Sequence, residues 1–553
     1  MGAERFVKWW AVPLLSMCTL AAAGREVPLA EAVKSGDATA VRALLQQKVD
    51  VNGPEVDGTT PLHWAAHGDN VALADLLIGA GANANAVNRY GMTPLLLACT
   101  NGNAAMVERL LKGGANPNSA MPSGQTALMT AARTGKVDVI KLLLTHGADV
   151  HAKEGYRGQT ALMWAAAQGH AGAVEILTEV GADINLRSKG NPGAVRAAVR
   201  AGVSQIALGA GTAPTPEATD TRTPAAAPPG LTPLLFAVRA GHIDATKALL
   251  KAGANANDTV GDGTSALVLA VMNANYELAG VLLENGADPN ADAQGWTALH
   301  QLVWTRKPNL MRPTPFPLTT GRVTDVDLVK VLVKHGANLD ARQKREPNDG
   351  NRNVLNRIGS TPFLLAAKAA DPEMMRVLVE QGANPKLTTE EGATPLMAAA
   401  GVGIWRVGEN VGNNEEALEA VKLAWELGND VNAVDANGDT ALHGAVHRGA
   451  NAIAQFLVEK GANPDVANHF GWTPLTIAEG VWYPNTYKSE PETGALLRKL
   501  GARNEGKRRP EDYPPTLIEK PVEGGRGGGQ VETQTQTGAQ QQQQQTPRNT
   551  PRR

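Results

Sequence analysis

Between Gly58 and Asn83 the apolar positions fall into two short runs separated by a polar break. Leu62, Ala65 and Ala66 share one face of a first helix. Val71, Leu73, Leu77 and Ile78 recur at helical spacing in a second. Thr60 stands where a hydroxyl can cap the first helix, and Pro61 fits its first position, where a missing N–H costs nothing. Gly68 and Asp69 break that helix. Gly81 ends the second, because glycine enters the left-handed conformation cheaply. Asn83 starts the next turn. Neither helix can bury its face alone, so the pattern predicts a unit that stacks on copies of itself.

The copies are present. The Thr60 position recurs as Thr93, Thr126, Thr160, Thr232, Ser265, Thr297, Thr361, Thr394, Thr440 and Thr473, each followed by Pro or Ala and then Leu or Phe. Val27-Pro28-Leu29 opens a degraded first copy. The closing signal travels with them, as Gly81-Ala82-Asn83, Gly114-Ala115-Asn116, Gly147-Ala148-Asp149 and later copies through Gly461-Ala462-Asn463. A period of about 33 residues with T-P-L-H and two helices per unit resembles the ankyrin repeat. The resemblance runs from about Val27 to Arg503. It implies an all-α solenoid of about twelve helix-turn-helix repeats, with β-hairpin fingers along one edge. It also implies binding of other proteins through the fingers and the concave groove, without chemistry of its own.

The rhythm divides the chain. Residues 1–23 read as a secretory signal peptide, with Arg5 and Lys8 before a short apolar run and Ala21 and Ala23 before a cut near Gly24. The run is too short to span a bilayer. This predicts an exported, periplasmic or secreted protein. Leu15-Ser16-Met17-Cys18 faintly resembles a lipoprotein cleavage box, with Met17 where Gly or Ala is usual, and an uncleaved first helix is a third reading. Residues 24–186 hold five repeats and 231–504 seven more. Between them, 187–230 is an Ala/Pro/Thr/Gly-rich insert, expected to be flexible, to project from the finger edge and to leave the stack unbroken. Ala194–Ile206 within it is a candidate short helix. Further insertions separate the helices of later repeats at Arg306–Thr324 and Gly401–Asn414, and Arg342–Ile358 lengthens one finger. Residues 505–553, with GGRGGG and the Gln540–Gln545 run, form a low-complexity tail expected to be disordered.

Composition changes this picture little. Apolar residues make up 43% and aromatics 4%, which suits thin helices packed through Ala and Leu. A net charge of −2 speaks against bulk attraction to nucleic acid or membrane surfaces. Cys18 lies in the signal segment and Cys99 in a first helix, so no internal disulfide is expected. No H-E-x-x-H, C-x-x-C, phosphate loop or G-x-S-x-G occurs. No catalytic, metal or cofactor site is therefore assigned. In similar repeats the histidine of T-x-L-H, here His63, His300 and His443, bonds between adjacent turns.

Aligning the copies marks the positions free to meet a partner. At the finger tips stand Arg89-Tyr90 and Tyr156-Arg157, residue types that dominate interface energies, two repeats apart on one edge and expected to form one patch. The seventh residue after each Thr position lies at the groove, and reads Lys34, His67, Arg133, Arg239, Lys368 and His447 with no acid among its copies. This predicts a mildly basic concave stripe suited to an acidic partner segment, although cations also suit helix C-termini for purely structural reasons. Trp64 and Trp164 are expected to pack in the core, and Trp296 and Trp472, after turn glycines, to be partly exposed. The reading is a monomeric protein-binding scaffold. An enzyme with its site in the inserts and a self-associating structural protein are the alternatives.

Overall fold

The computed structural model describes residues 28–190, 230–307, 321–347, 355–404, 412–482 and 487–503. The signal segment, the candidate helix Ala194–Ile206, most of the 187–230 insert and the tail lie outside the described residues. The described chain forms twelve helix pairs, from Pro28–Lys34 with Ala38–Gln46 to Pro474–Glu479 with Pro491–Lys499. First helices pack on first helices and second on second, giving an inner and an outer row. One continuous apolar core, mostly Ala, Leu and Val, runs between the rows. None of the described helices is long and apolar enough to cross a membrane.

The Thr positions cap the inner helices. Thr93, Thr126, Thr232 and Thr361 accept the N–H three residues on. In the T-x-L-H copies the imidazole takes over. His63 Nδ1 lies 2.8 Å from Thr60 Oγ1 and accepts the Thr60 N–H, while Nε2 donates to Met92 O in the next repeat at 3.0 Å. His300 and His443 repeat the arrangement with Ser360 O and Trp472 O. Each ring is thus held neutral, and burial pushes its pKa down, to about 4 at His300 and His443. At the other end of each pair, Gly81 at φ +90° closes the outer helix.

An asparagine ladder joins the repeats. Asn52 Nδ2 donates to Gly81 O at 3.2 Å, and its Oδ1 accepts the Asn83 N–H at 2.7 Å. Asn85, Asn118, Asn257, Asn290 and Asn432 do the same one repeat further on. The fingers follow a hairpin path with little ladder. Among the described residues only two contain a β-bridge, Ala120–Thr126 and Thr259–Ser265. Their turn N–H groups go instead to side chains such as Asn88, Asp435 and Asn468.

The repeats on either side of the 187–230 insert stack directly on one another. The insert's ends are pinned together by Ser188 N–H to Leu231 O and Leu231 N–H to Ser188 Oγ, both 3.0 Å. His242 Nε2 donates to Ala167 O at 3.1 Å, joining the repeats that flank it. Arg187 ion-pairs with Asp258 and donates to Gly230 O, fixing the root to the next finger.

Trp296 and Trp472 depart from their expected partial exposure. Both are buried. Trp296 packs edge-on to Trp304 at 5.4 Å and donates to Gln301, and Trp472 stacks on Phe470 at 4.9 Å. Trp64 and Trp164 pack against the core as half-buried side chains.

Candidate partner-binding surface

The fingers stand side by side and are bonded through their backbones. Arg89 N–H donates to Asp57 O at 2.7 Å, Gly155 N–H to Ser123 O at 2.7 Å and Lys189 N–H to Arg157 O at 2.6 Å. Pro122 has no N–H to offer the Tyr90 carbonyl, and its ring instead fills the space where a Cβ on Gly91 would sit. The Arg89–Tyr90 and Tyr156–Arg157 pairs therefore share one edge, with the Pro122–Ser123 tip between them. Tyr90 is 58% exposed and Tyr156 76%. Each arginine covers its own neighbour's ring, Arg89 at 5.3 Å and Arg157 at 5.7 Å from the centroid. Val56 and Val87, on the same row of fingers, are also largely exposed.

The predicted groove positions behave differently along the stack. Lys34 is exposed, but Glu31 at 2.8 Å and Glu55 at 2.6 Å neutralise it and hold its pKa up. His67 is exposed, edge-on to Trp64 at 5.9 Å. Arg133 is exposed with no ion pair among the described residues. Arg239 is exposed, with its guanidinium 5.2 Å over the Phe236 ring, and partial desolvation, with the charge of Arg157, lowers its pKa. Lys368 is half-buried.

His447 corrects the expectation of a continuous basic stripe. It is 5% exposed, and burial, with the charge of Lys488 3.3 Å from Nδ1, keeps it well below its usual pKa, hence neutral. The cause is the chain's own insertions. The loop after the inner helix Pro395–Ala400 folds back over the groove face of Ala441–His447, and a Cβ on Gly444 would stand 2.5 Å from the Val402 nitrogen. Val402, Ile404 and Leu355 are buried there. Lys488, from a two-stranded ribbon of Val481–Trp482 and Tyr487–Lys488, ties the lid down by donating to Ile404 O at 2.6 Å. In the finger that leads into this helix, burial pushes the Asp435 and Asp439 carboxyls up to about 6. Residues 355 and 402–404 were read as loop from the sequence, and only the small side of Gly444 hints at what covers it.

Among the described residues no group of three or more His, Cys, Asp or Glu side chains could hold a metal ion. Cys99 is buried and its thiol pushed up to about 12 by burial.

The family described as "Ankyrin repeats (3 copies)" matches residues 29–121, 106–188, 196–293, 234–312 and 411–481, and "Ankyrin repeat" matches 358–390. The chain belongs to the ankyrin-repeat family. Mouse ankyrin repeat and SOCS box protein 16 is 28% identical over 268 residues, covering 48% of this chain and 51% of that protein. The mouse B-cell lymphoma 3 protein homolog is 29% identical over 255 residues, 45% of this chain and 48% of that one. The E3 ubiquitin-protein ligase KEG of Arabidopsis thaliana is 26% identical over 294 residues, 47% of this chain but 16% of the ligase. The chain thus spans about half, or much less, of the curated relatives it matches. Membership of the family supports a role in protein interaction.

Proposed function

We propose that this ankyrin-repeat protein is a non-catalytic scaffold that binds a partner protein through the finger edge and groove of its N-terminal repeats. The observation that carries the reading is the exposed row of Val56, Val87, Tyr90 and Tyr156, flanked by Arg89 and Arg157, beside a groove whose far end is filled by the chain itself. Exposed aromatic and guanidinium groups on a rigid edge suit a partner with apolar and acidic side chains. The pattern of residues 1–23 supports export, and a reporter active only outside the cytoplasm, fused after these residues, tests that part. The binding reading is tested by a crosslinking pull-down from the host's exported fraction, using the full chain and a variant with Arg89, Tyr90, Tyr156 and Arg157 all changed to Ala. Capture by the first and loss with the second is the expected result. Equal capture by both moves the contact into the groove, and capture by neither removes the reading.

A further inference from the structure

One indole in the groove has its acceptor and a second, at the same register, does not. Trp64 is the fourth residue after Thr60, and its Nε1–H donates to Glu55 Oε2 at 2.7 Å. The other oxygen of Glu55 receives Lys34 Nζ at 2.6 Å, and Lys34 also lies 4.6 Å over the indole. A finger carboxylate is thus held between an indole N–H and a cation from the preceding repeat.

Trp164 is the fourth residue after Thr160, and Arg133 stands seven after Thr126 as Lys34 stands seven after Val27. The finger glutamate is there too. Glu154 N–H bonds Gln159 O at 3.0 Å as Glu55 N–H bonds Thr59 O at 2.9 Å. Gly155, however, adds a residue to this turn. The Glu154 carboxylate turns inward, accepting the N–H groups of Tyr156 at 2.7 Å, Arg157 at 2.6 Å and Gln159 at 3.0 Å, and is 7% exposed. Trp164 Nε1 is left buried with no acceptor, and Arg133 without a carboxylate among the described residues. A buried donor in this state is a standing demand for a hydrogen-bond acceptor.

We propose that Trp164 and Arg133 form a seat for an Asp or Glu side chain of a partner segment lying in the groove beside the fifth finger. The internal occupant at Trp64 defines the chemistry, since one N–H and one cation satisfy the two oxygens of a carboxylate. Tyr156 and Arg157, above the seat, meet the flanking residues of the same segment. The proposal rests on the reading that the N-terminal groove binds protein.

The test is selection of random displayed peptides on the full chain, followed by a double-mutant cycle. The selected peptides are expected to share an acidic position. Changing that Glu to Gln should weaken binding about tenfold or more. Trp164→Phe and, separately, the exposed-site change Arg133→Gln should each abolish most of the difference between the Glu and Gln peptides. The indole N–H resonance of Trp164 should shift further with the Glu peptide than with its Gln counterpart, since the charged acceptor makes the stronger bond. Deleting Gly155 should free Glu154 to fill the seat and weaken the Glu peptide similarly. Peptides that share no acid, or an acid uncoupled from both Trp164 and Arg133, overturn the seat while groove binding stands. If no peptide is selected, both readings fall.

Discussion

The two ends of this solenoid use the same repeat to opposite effect. In the first five repeats the groove positions are open, as at His67 and Arg133, and the linking side chains are mostly neutral, such as His170 donating to Arg133 O at 3.0 Å. From the inner helix Ala298–Arg306 onward the corresponding joints are charged. Arg306 meets Asp325, Asp371 and Glu373 at once, and Lys307 reaches Glu416. The groove there is roofed by Val402 and Ile404, and its histidine is sealed in. The insertions at 306–324, 342–358 and 401–414 fall in the same half, and Leu355, Val402 and Ile404 from two of them serve as packing material. The repeat alone does not decide whether its concave face is a binding surface; the insertions do.

The largest expected break in this contrast is Arg306→Met. It leaves Asp371, 1% exposed, without its guanidinium, and should cost about 3 kcal/mol or more in urea unfolding. His242→Ala, the neutral joint of the other half, should cost about 1 kcal/mol. Next is pH. Folding raises the Asp439 carboxyl from 3.8 to about 6, so its ionised form destabilises the fold above pH 6, and stability is regained as pH falls through 6. Asp439→Asn should therefore stabilise the C-terminal repeats by about 3 kcal/mol at pH 8, by about half that at pH 5, and have little effect only at pH 4 and below, under the unfolded-state value. His443 acts in the opposite sense. Its folded value near 4 lies below the ordinary 6.5, so its contribution is complete above 6.5 and is lost as pH falls toward 4. Urea midpoints of the Asn variant at these pH values separate the terms. The smallest effect is Glu55→Gln, which keeps an acceptor for Trp64 but removes the charge that pairs with Lys34. It should change stability by less than about 1 kcal/mol, while the Trp64 fluorescence should change.

The scaffold was legible because each local signal carries its own physics. Thr or Ser before Pro or Ala is a cap, Gly before Ala-Asn is a left-handed exit, and both recur at one period. The candidate surface was half legible. Tyr90 and Tyr156 sit at tips, as their distance from the Thr position implies. His447 was misplaced because its burial depends on Val402, far away in sequence, and no periodicity reports a loop that folds back. Trp472 was only half readable, since its equivalents include the apolar Met92, Leu231 and Ala393 but also the polar Thr59, Gln125, Gln159 and Ser360. The asparagine ladder was also within reach, because Asn85 and Asn118 recur two residues after each Gly-Ala-Asn. Glu154 could not be, since Glu55 has the same identity and nearly the same place, and one added glycine reverses where its carboxylate points.

The asparagine ladder also has a mechanical meaning. A solenoid is a row of springs in series, and its compliance is set by the weakest joint. His151 occupies the ladder position of the fifth finger and cannot make the paired amide bond, and among the described residues the Asn185 side chain, at the next, makes no bond to a neighbouring repeat, its backbone N–H going to Asp183 in the same turn. Two successive joints therefore lack the strap that ties repeats on either side, and they adjoin the root of the longest insertion. Pulled from its ends, the molecule should stretch and yield there first, parting the open-grooved half from the roofed half as two separate elastic bodies.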